Sequence, residues 1–294
     1  FAFQSGCSQA LIYDSLKEKG QENSMNKVTG FVGAFFQGGH ILGAFISSLI
    51  ISQLSAPKIT LAIILTIISV SVALLISIFL EEPKSEYQHS EQNPLATLKQ
   101  SLTLLRHNKI LKRVVLFGLF TTPFIGYLRN LQPPYFQLSH VSTYWLGLSL
   151  TLGGLVAIIA STYAHRLEKI LGTPKASFIA AIIPAYLYIA MSVFATPAFA
   201  VVIFVLTFGL ISLQDPILAA YNNRQIPSSI RATTLSTINM FSIIYITIIG
   251  LIIGVIADYS VTYAFLFIGT LILIAAFVFR IREEKPITLS PQSY

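Results

Sequence analysis

Eight stretches of this chain run for about 20 mostly apolar residues each, the length a helix needs to cross a hydrocarbon core of about 30 Å while satisfying its own backbone polar groups. They cover approximately residues 30 to 54, 59 to 80, 114 to 136, 144 to 163, 176 to 195, 197 to 219, 233 to 256 and 262 to 280, after a partial run from Phe1 to about Tyr13. Few folds accommodate that pattern. Only 11% of the residues are Asp, Glu, Lys or Arg, against about 25% in an ordinary soluble domain, which excludes a water-soluble globular protein. The 54% hydrophobic content excludes a disordered chain, and one cysteine, Cys7, excludes a disulfide framework. The expected fold is all-α, a polytopic helical bundle with the lipid bilayer as its solvent.

In a soluble protein the net charge of +7 would point to nucleic acid. Here the placement of the sparse charges matters more, and no nucleic-acid partner is expected. Lys17, Lys19 and Lys27 follow the first run, and Lys84, Lys99, Arg106, Lys109, Lys112 and Arg113 follow the third. Arg166, Lys169 and Lys175 come next, then Arg224 and Arg231, then Arg280, Arg282 and Lys285. These alternate segments hold 17 of the 19 basic residues, leaving Lys58 and Arg129 for the opposite side. Short cytoplasmic loops retain Lys and Arg, so the alternation predicts a multi-pass plasma-membrane protein with a cytoplasmic C-terminus.

The chain begins at Phe1 without a signal-peptide pattern, so it reads as a fragment whose first helix is cut. The polar stretch 81 to 113 separates three spans from six, and three further spans upstream would complete six, a hub and six. The expected organisation is therefore 1–80 as the remainder of an N-terminal bundle (spans four to six), 81–113 as a cytoplasmic hub loop, 114–282 as a six-helix C-terminal bundle and 283–294 as a tail. Within the hub, Asn93 and Pro94 make a helix start, and Leu95, Leu98, Leu102 and Leu105 recur at helical spacing. This predicts an amphipathic helix on the cytoplasmic surface.

Two segments resemble the major facilitator superfamily. The run Ser5-Gly6-Cys7-Ser8-Gln9-Ala10-Leu11-Ile12-Tyr13-Asp14-Ser15-Leu16 is similar to the end of that family's fourth helix. Asp215-Pro216, with Asn223, Pro227 and Arg231-Ala232-Thr233-Thr234-Leu235-Ser236, resembles its tenth helix, loop and eleventh helix. The resemblance implies a secondary transporter of two parallel repeats. Gly33, Gly38, Gly39 and Gly43 resemble the glycine-rich antiporter motif without its proline, and His165 replaces the acid where the gating motif is often repeated. Gly33, Gly39, Gly43, Gly250 and Gly254 are expected to let helices approach closely.

An ionisable group inside a bilayer costs about 2.5–3.5 kcal/mol on insertion scales, so each is a candidate functional residue. Three qualify: His40, Arg129 and Asp215. Gly33, Gln37, His40 and Ala44 share one helical face near the midplane, read either as a cavity lining with His40 carrying a coupled proton or as a neutral histidine bonded between helices. Arg129, flanked by Tyr127, Asn130 and Gln132, either snorkels outward or attracts an anionic group. Asp215 approaches the cytoplasmic end, where pairing with Arg224 or Arg231 makes a gate or a structural ion pair, with a proton relay as the alternative. Asn239 adds a polar residue on the following span. Gln37, His40, Tyr127, Arg129 and Asn239 are the substrate-cavity candidates.

The leading functional reading is a transporter that moves a small molecule by alternating access, as proton-coupled efflux or antiport and as a monomer. Metabolite uptake and a non-transporting receptor or scaffold are the alternatives. No enzyme is expected, because the spans carry no paired carboxylates, nucleophile with base, metal-ligand set or cofactor motif.

Overall fold

The computed structural model describes residues 11–12, 15–16, 18–21, 25–50, 55–79, 94–226 and 230–281; the side chains of several helical residues, Arg224 and Arg231 among them, lie outside that set. So do most of the run before Tyr13, the polar stretch 81–93, Pro227 and the tail from residue 282. All regular structure among the described residues is helical. In chain order the helices are α1 (Met25–Ile50), α2 (Ala56–Ile78), α3 (Pro94–His107), α4 (Lys109–Thr121), α5 (Ile125–Leu138), α6 (Tyr144–Leu171), α7 (Thr173–Val193), α8 (Pro197–Leu210), α9 (Gln214–Gln225), α10 (Arg231–Tyr259) and α11 (Val261–Val278).

Seven helical segments are long and apolar enough to cross a membrane, and each coincides with an expected span: Ala56–Ile78, Lys109–Leu138, Tyr144–Leu171, Thr173–Val193, Pro197–Ala219, Thr233–Tyr259 and Val261–Val278. The remaining expected span falls on α1, whose apolar stretch is the shorter Phe35–Ile50. Two spans are interrupted. Pro123 lacks the N–H that would continue α4, and the chain turns through Thr122–Phe124 before α5 begins. Pro216 cannot bond the Ser212 carbonyl, and Ile211–Leu213 tightens into a 3₁₀ turn between α8 and α9.

The chain divides into two compact units, Phe1–Glu91 with Ser142–Thr151, and Gln92–Val141 with Leu152–Tyr294. In the first, α2 buries no residue and is apolar on every side, as a helix facing lipid is. The start of α6 packs on α1. A Cβ at Gly147 would collide with the Ala44 carbonyl oxygen and stand 2.8 Å from the Ser48 Cβ, so only glycine fits that approach.

The second unit has an aromatic core of Phe117, Phe124, Tyr135, Phe136, Tyr188, Phe204 and Phe265, all fully buried. Its most extensive helix pair is α7 with α11. Gly269 on α11 meets α7 there: a Cβ at Gly269 would stand 2.7 Å from the Ala185 carbonyl oxygen, while Ala176 and Ala180 pack in a buried cluster with Ala160 and Ala164 of α6 and Leu213 and Ile217. Small residues on both sides bring the backbones together, which supplies dispersion energy where lipid offers no hydrophobic drive. Helix α3 belongs to this unit and packs on α10, with the Ser101 and Thr234 hydroxyls 3.1 Å apart.

One buried amide ties three elements. Pro184 inside α7 has no N–H for the Ala180 carbonyl, and the Gln214 amide Nε2 donates to that oxygen at 2.9 Å. Gln214 Oε1 in turn accepts from the Thr121 hydroxyl at 2.9 Å, which also lies 2.7 Å from the Phe117 carbonyl. Gln214 is completely buried, so both ends of its amide depend on these partners.

Gln214→Leu should therefore destabilise the protein by about 1–3 kcal/mol, the cost of a buried carbonyl left unpaired. In a Pro184→Ala background residue 184 regains an N–H for Ala180, and the same substitution should cost measurably less. Thermal unfolding of the four proteins in detergent gives the double-mutant cycle; an equal cost in both backgrounds would refute the compensation.

Candidate functional site

Successive residues of a helix are about 100° apart, so exposure along a span separates its lipid face from any polar face. On α5 the exposed positions are Gly126, Arg129, Asn130, Pro133, Pro134, Gln137 and Leu138, while Leu128, Leu131, Gln132, Tyr135 and Phe136 are buried. All but one of the exposed positions are polar, glycine or proline. Pro133 and Pro134 lack the N–H groups that would bond the carbonyls of Arg129 and Asn130, so this face also presents two freed backbone acceptors. A guanidinium, two amides and two carbonyls thus share one exposed stripe within an apolar span.

The neighbouring helix continues that surface. The Tyr127 hydroxyl on α5 donates to the Ile246 carbonyl on α10, and a Cβ at Gly250 would collide with it. Gly250 is therefore the point where α10 approaches α5. By the helical step, exposed Ser236, Asn239 and Thr247 lie on the side of α10 nearest that contact, with exposed Ile243 among them, and exposed Ile244, Ile248, Leu251 and Val255 lie farther round. The polar stripe of α5 and the polar residues of α10 consequently flank the Tyr127–Gly250 contact, and most of the aliphatic exposure of α10 turns away.

Tyr127 is half-buried and used in packing; Arg129 and Asn239 are exposed on the polar stripes. In the other unit, Gln37 is half-buried and His40 exposed on α1, with the imidazole edge-on to Phe36 at 4.7 Å between centroids. Asp215 is exposed although its neighbour Gln214 is fully buried. The side chains of Arg224 and Arg231 lie outside the described set, so their pairing with Asp215 stays an expectation. No described atom comes within 4 Å of a Cβ built on Gly39, Gly43 or Gly254.

Several residues escaped the sequence reading. Gly209 admits Val156 and Gly153 admits Phe208, which brings α6 and α8 together. Two tyrosines satisfy carbonyls at helix ends: Tyr135 donates to Phe194 at 2.7 Å and Tyr188 to Phe124 at 3.0 Å. The Tyr245 hydroxyl is buried beside Phe120 and Phe124 and has no hydrogen-bond partner among the described residues. His165 and Arg166 stand within α6 rather than on a loop, and the Arg166 guanidinium lies 4.8 Å from the centroid of the Tyr163 ring. Among the described residues no cluster of His, Cys, Asp and Glu is suited to a metal ion.

Comparison with known proteins agrees with this architecture. The family model of the Major Facilitator Superfamily matches residues 2–242. The chain is 25% identical over 213 residues to the uncharacterized MFS-type transporter YxaM of Bacillus subtilis (strain 168), a match covering 70% of this chain and 53% of that protein. The chain thus spans about half the length of the curated relative it matches. No solved structure matches it. With seven described membrane-crossing helices and a family match over most of its length, the chain belongs to the Major Facilitator Superfamily.

Proposed function

We propose that the protein is a secondary transporter that carries a small molecule across the plasma membrane by alternating access, in the direction of proton-coupled efflux. Membership in a transporter family supports transport over enzymatic chemistry. The observation that carries the substrate site is the polar surface of α5 and α10: Arg129, Asn130, Asn239 and Thr247 stay exposed within segments apolar enough to cross a membrane. Polar groups at that depth are costly facing lipid and favourable facing a hydrated path. Arg129 supplies attraction for a negative or strongly dipolar group, and the freed carbonyls beside it accept hydrogen bonds from the same substrate. His40 carries the coupled proton, and Asp215 with Arg224 or Arg231 holds the cytoplasmic gate. Metabolite uptake is the alternative; it uses the same surface and differs in the direction of coupling.

Reconstitution of the full-length protein in liposomes tests this reading. An inward-directed or outward-directed proton gradient should drive accumulation of a labelled substrate, and no transport of any candidate under either gradient would favour a receptor or scaffold. Arg129→Gln should lower kcat/KM by about 10-fold or more and Arg129→Lys by less, since loss of a charge-assisted hydrogen bond costs about 1.5–3 kcal/mol. A neutral response to both would place Arg129 outside the path.

His40→Ala should abolish the pH dependence of transport while leaving substrate binding measurable. If the variant only lowers the yield of folded protein and retains pH-dependent transport per molecule, His40 is a packing residue. For the gate, Asp215→Arg should impair transport, and combining it with Arg224→Asp or Arg231→Asp should recover part of it; failure of both combinations would remove the ion pair from the mechanism.

A further inference from the structure

At one end of the second unit, the start of α4 and the end of α11 enclose a cavity of about 470 Å³ lined by Lys109, Ile110, Lys112, Arg113, Leu116, Val278, Phe279 and Ile281. Its walls divide by chemistry. Lys109, Lys112 and Arg113 are exposed and all come from the first turns of α4; Leu116 stands about 10 Å farther along the helix than Lys109 and joins Val278, Phe279 and Ile281 in an apolar floor. Among the described residues no carboxylate lines the cavity.

The cations are placed where local energetics disfavours them. A helix N-terminus carries a partial positive charge, and the first turn of α4 has no acidic residue to offset it. Lys109 is also a surface neighbour of both Lys112 and Arg113 at helical spacing, where like charges repel. Asn108 does cap the helix, its side chain accepting from the N–H groups of Ile110 at 3.1 Å and Leu111 at 3.0 Å, but it adds no negative charge. Arg280, just beyond the end of α11, is engaged elsewhere: it lies 4.7 Å from the centroid of the Phe178 ring. Three mutually repelling cations around one cavity, with an apolar floor behind them, form an arrangement that a bound anion relieves.

We propose that this cavity is a binding site for a phosphate ester, supplied as the headgroup of an anionic phospholipid whose acyl chain begins on the apolar floor. Arg113 meets the phosphate oxygens with a two-pronged guanidinium, and Lys109 and Lys112 meet them as point charges. The floor decides the source. A free phosphate gains nothing from Leu116, Val278, Phe279 and Ile281, whereas a phospholipid covers them as its headgroup docks. The alternating charge pattern assigns this end to the cytoplasmic side, where the leaflet is anionic. The inference concerns the membrane environment of the protein and stands whether or not the transport reading holds.

Thermal unfolding in neutral detergent supplies the test, with phosphatidylglycerol, phosphatidylcholine of the same acyl chains, glycerol 3-phosphate or inorganic phosphate added. Phosphatidylglycerol should raise Tm by roughly 3 °C or more over phosphatidylcholine, and the two soluble phosphates should not. The Lys109→Gln/Lys112→Gln/Arg113→Gln variant should lose that difference. A charge-matched variant on another surface, Arg166→Gln/Lys169→Gln/Lys175→Gln, should keep it. Equal loss in both variants would reduce the effect to general surface charge and overturn the site, and an equal rise with soluble phosphate would overturn the lipid assignment. Native mass spectrometry of the unmodified protein gives a readout free of any folding defect: from an equimolar mixture of the two lipids, phosphatidylglycerol should be retained preferentially, and equal retention would overturn the proposal.

Discussion

In a hydrocarbon core every backbone donor and acceptor needs a partner within the protein, and the second unit depends on how that requirement is met wherever proline breaks it. Pro184 frees the Ala180 carbonyl in the middle of α7, and Gln214 returns a donor from another segment. The same amide reaches Thr121 near the end of α4, just ahead of the interruption at Pro123. The Phe124 carbonyl, inside that interruption, receives the Tyr188 hydroxyl, and the Phe194 carbonyl, at the end of α7, receives that of Tyr135. Breaks in the spans are thus the points where side chains from other helices are fastened. Small-residue packing between α7 and α11 then holds the fastened elements close.

The surface follows a second sorting. Helix α2 shows aliphatic residues all round, and α10 shows most of them away from the Tyr127 contact, as lipid-facing segments do. The exposed face of α5 carries polar residues, glycine and proline almost throughout, and the polar flank of α10 adjoins it across the Tyr127–Gly250 contact. Such a face in a membrane-crossing segment has to be hydrated or covered, and this requirement links the fold to the proposed transport more directly than any single residue does. Proline has a double part in it. At Pro133 and Pro134 the lost N–H groups leave acceptors on the exposed side, where water or a substrate can use them, while at Pro184 the freed acceptor is buried and is matched internally.

Span positions were legible from the sequence because the signal, about 20 apolar residues between charged loops, is written into each segment separately. Seven of the eight expected runs correspond to helices of sufficient length. The polar α5 face was legible only in part: Arg129 announced itself as a charge in an apolar run, but exposure of Asn130, Gln137 and the proline pair depends on which side of the helix the core occupies. Gly147, Gly153, Gly209 and Gly269 sit at close helix contacts, and no spacing pattern singled them out from Gly39, Gly43 and Gly254. The buried alanines of α7 were equally silent, since alanine at four-residue intervals is common in any apolar helix. Gln214 was visible as a polar residue near Asp215; its bond to a carbonyl freed by Pro184 joins residues far apart in sequence and emerges only when α7 and α9 are placed together.

That bond also bears on its neighbour. Gln214 and Asp215 are adjacent on α9, so their side chains diverge by about 100°. Fixing the Gln214 amide between Ala180 and Thr121 therefore directs Asp215 out of the core, where the structure has it exposed. Pro216 and the 3₁₀ turn at Ile211–Leu213 confine the same stretch from either side. An acidic residue held in this way on an interrupted span takes its direction from its neighbour rather than from a charged partner, which suits the proposed gate. A carboxylate whose position depended on its partner would move with that partner. One anchored by a buried neighbour can make and break the contact repeatedly, which is the property a gate requires.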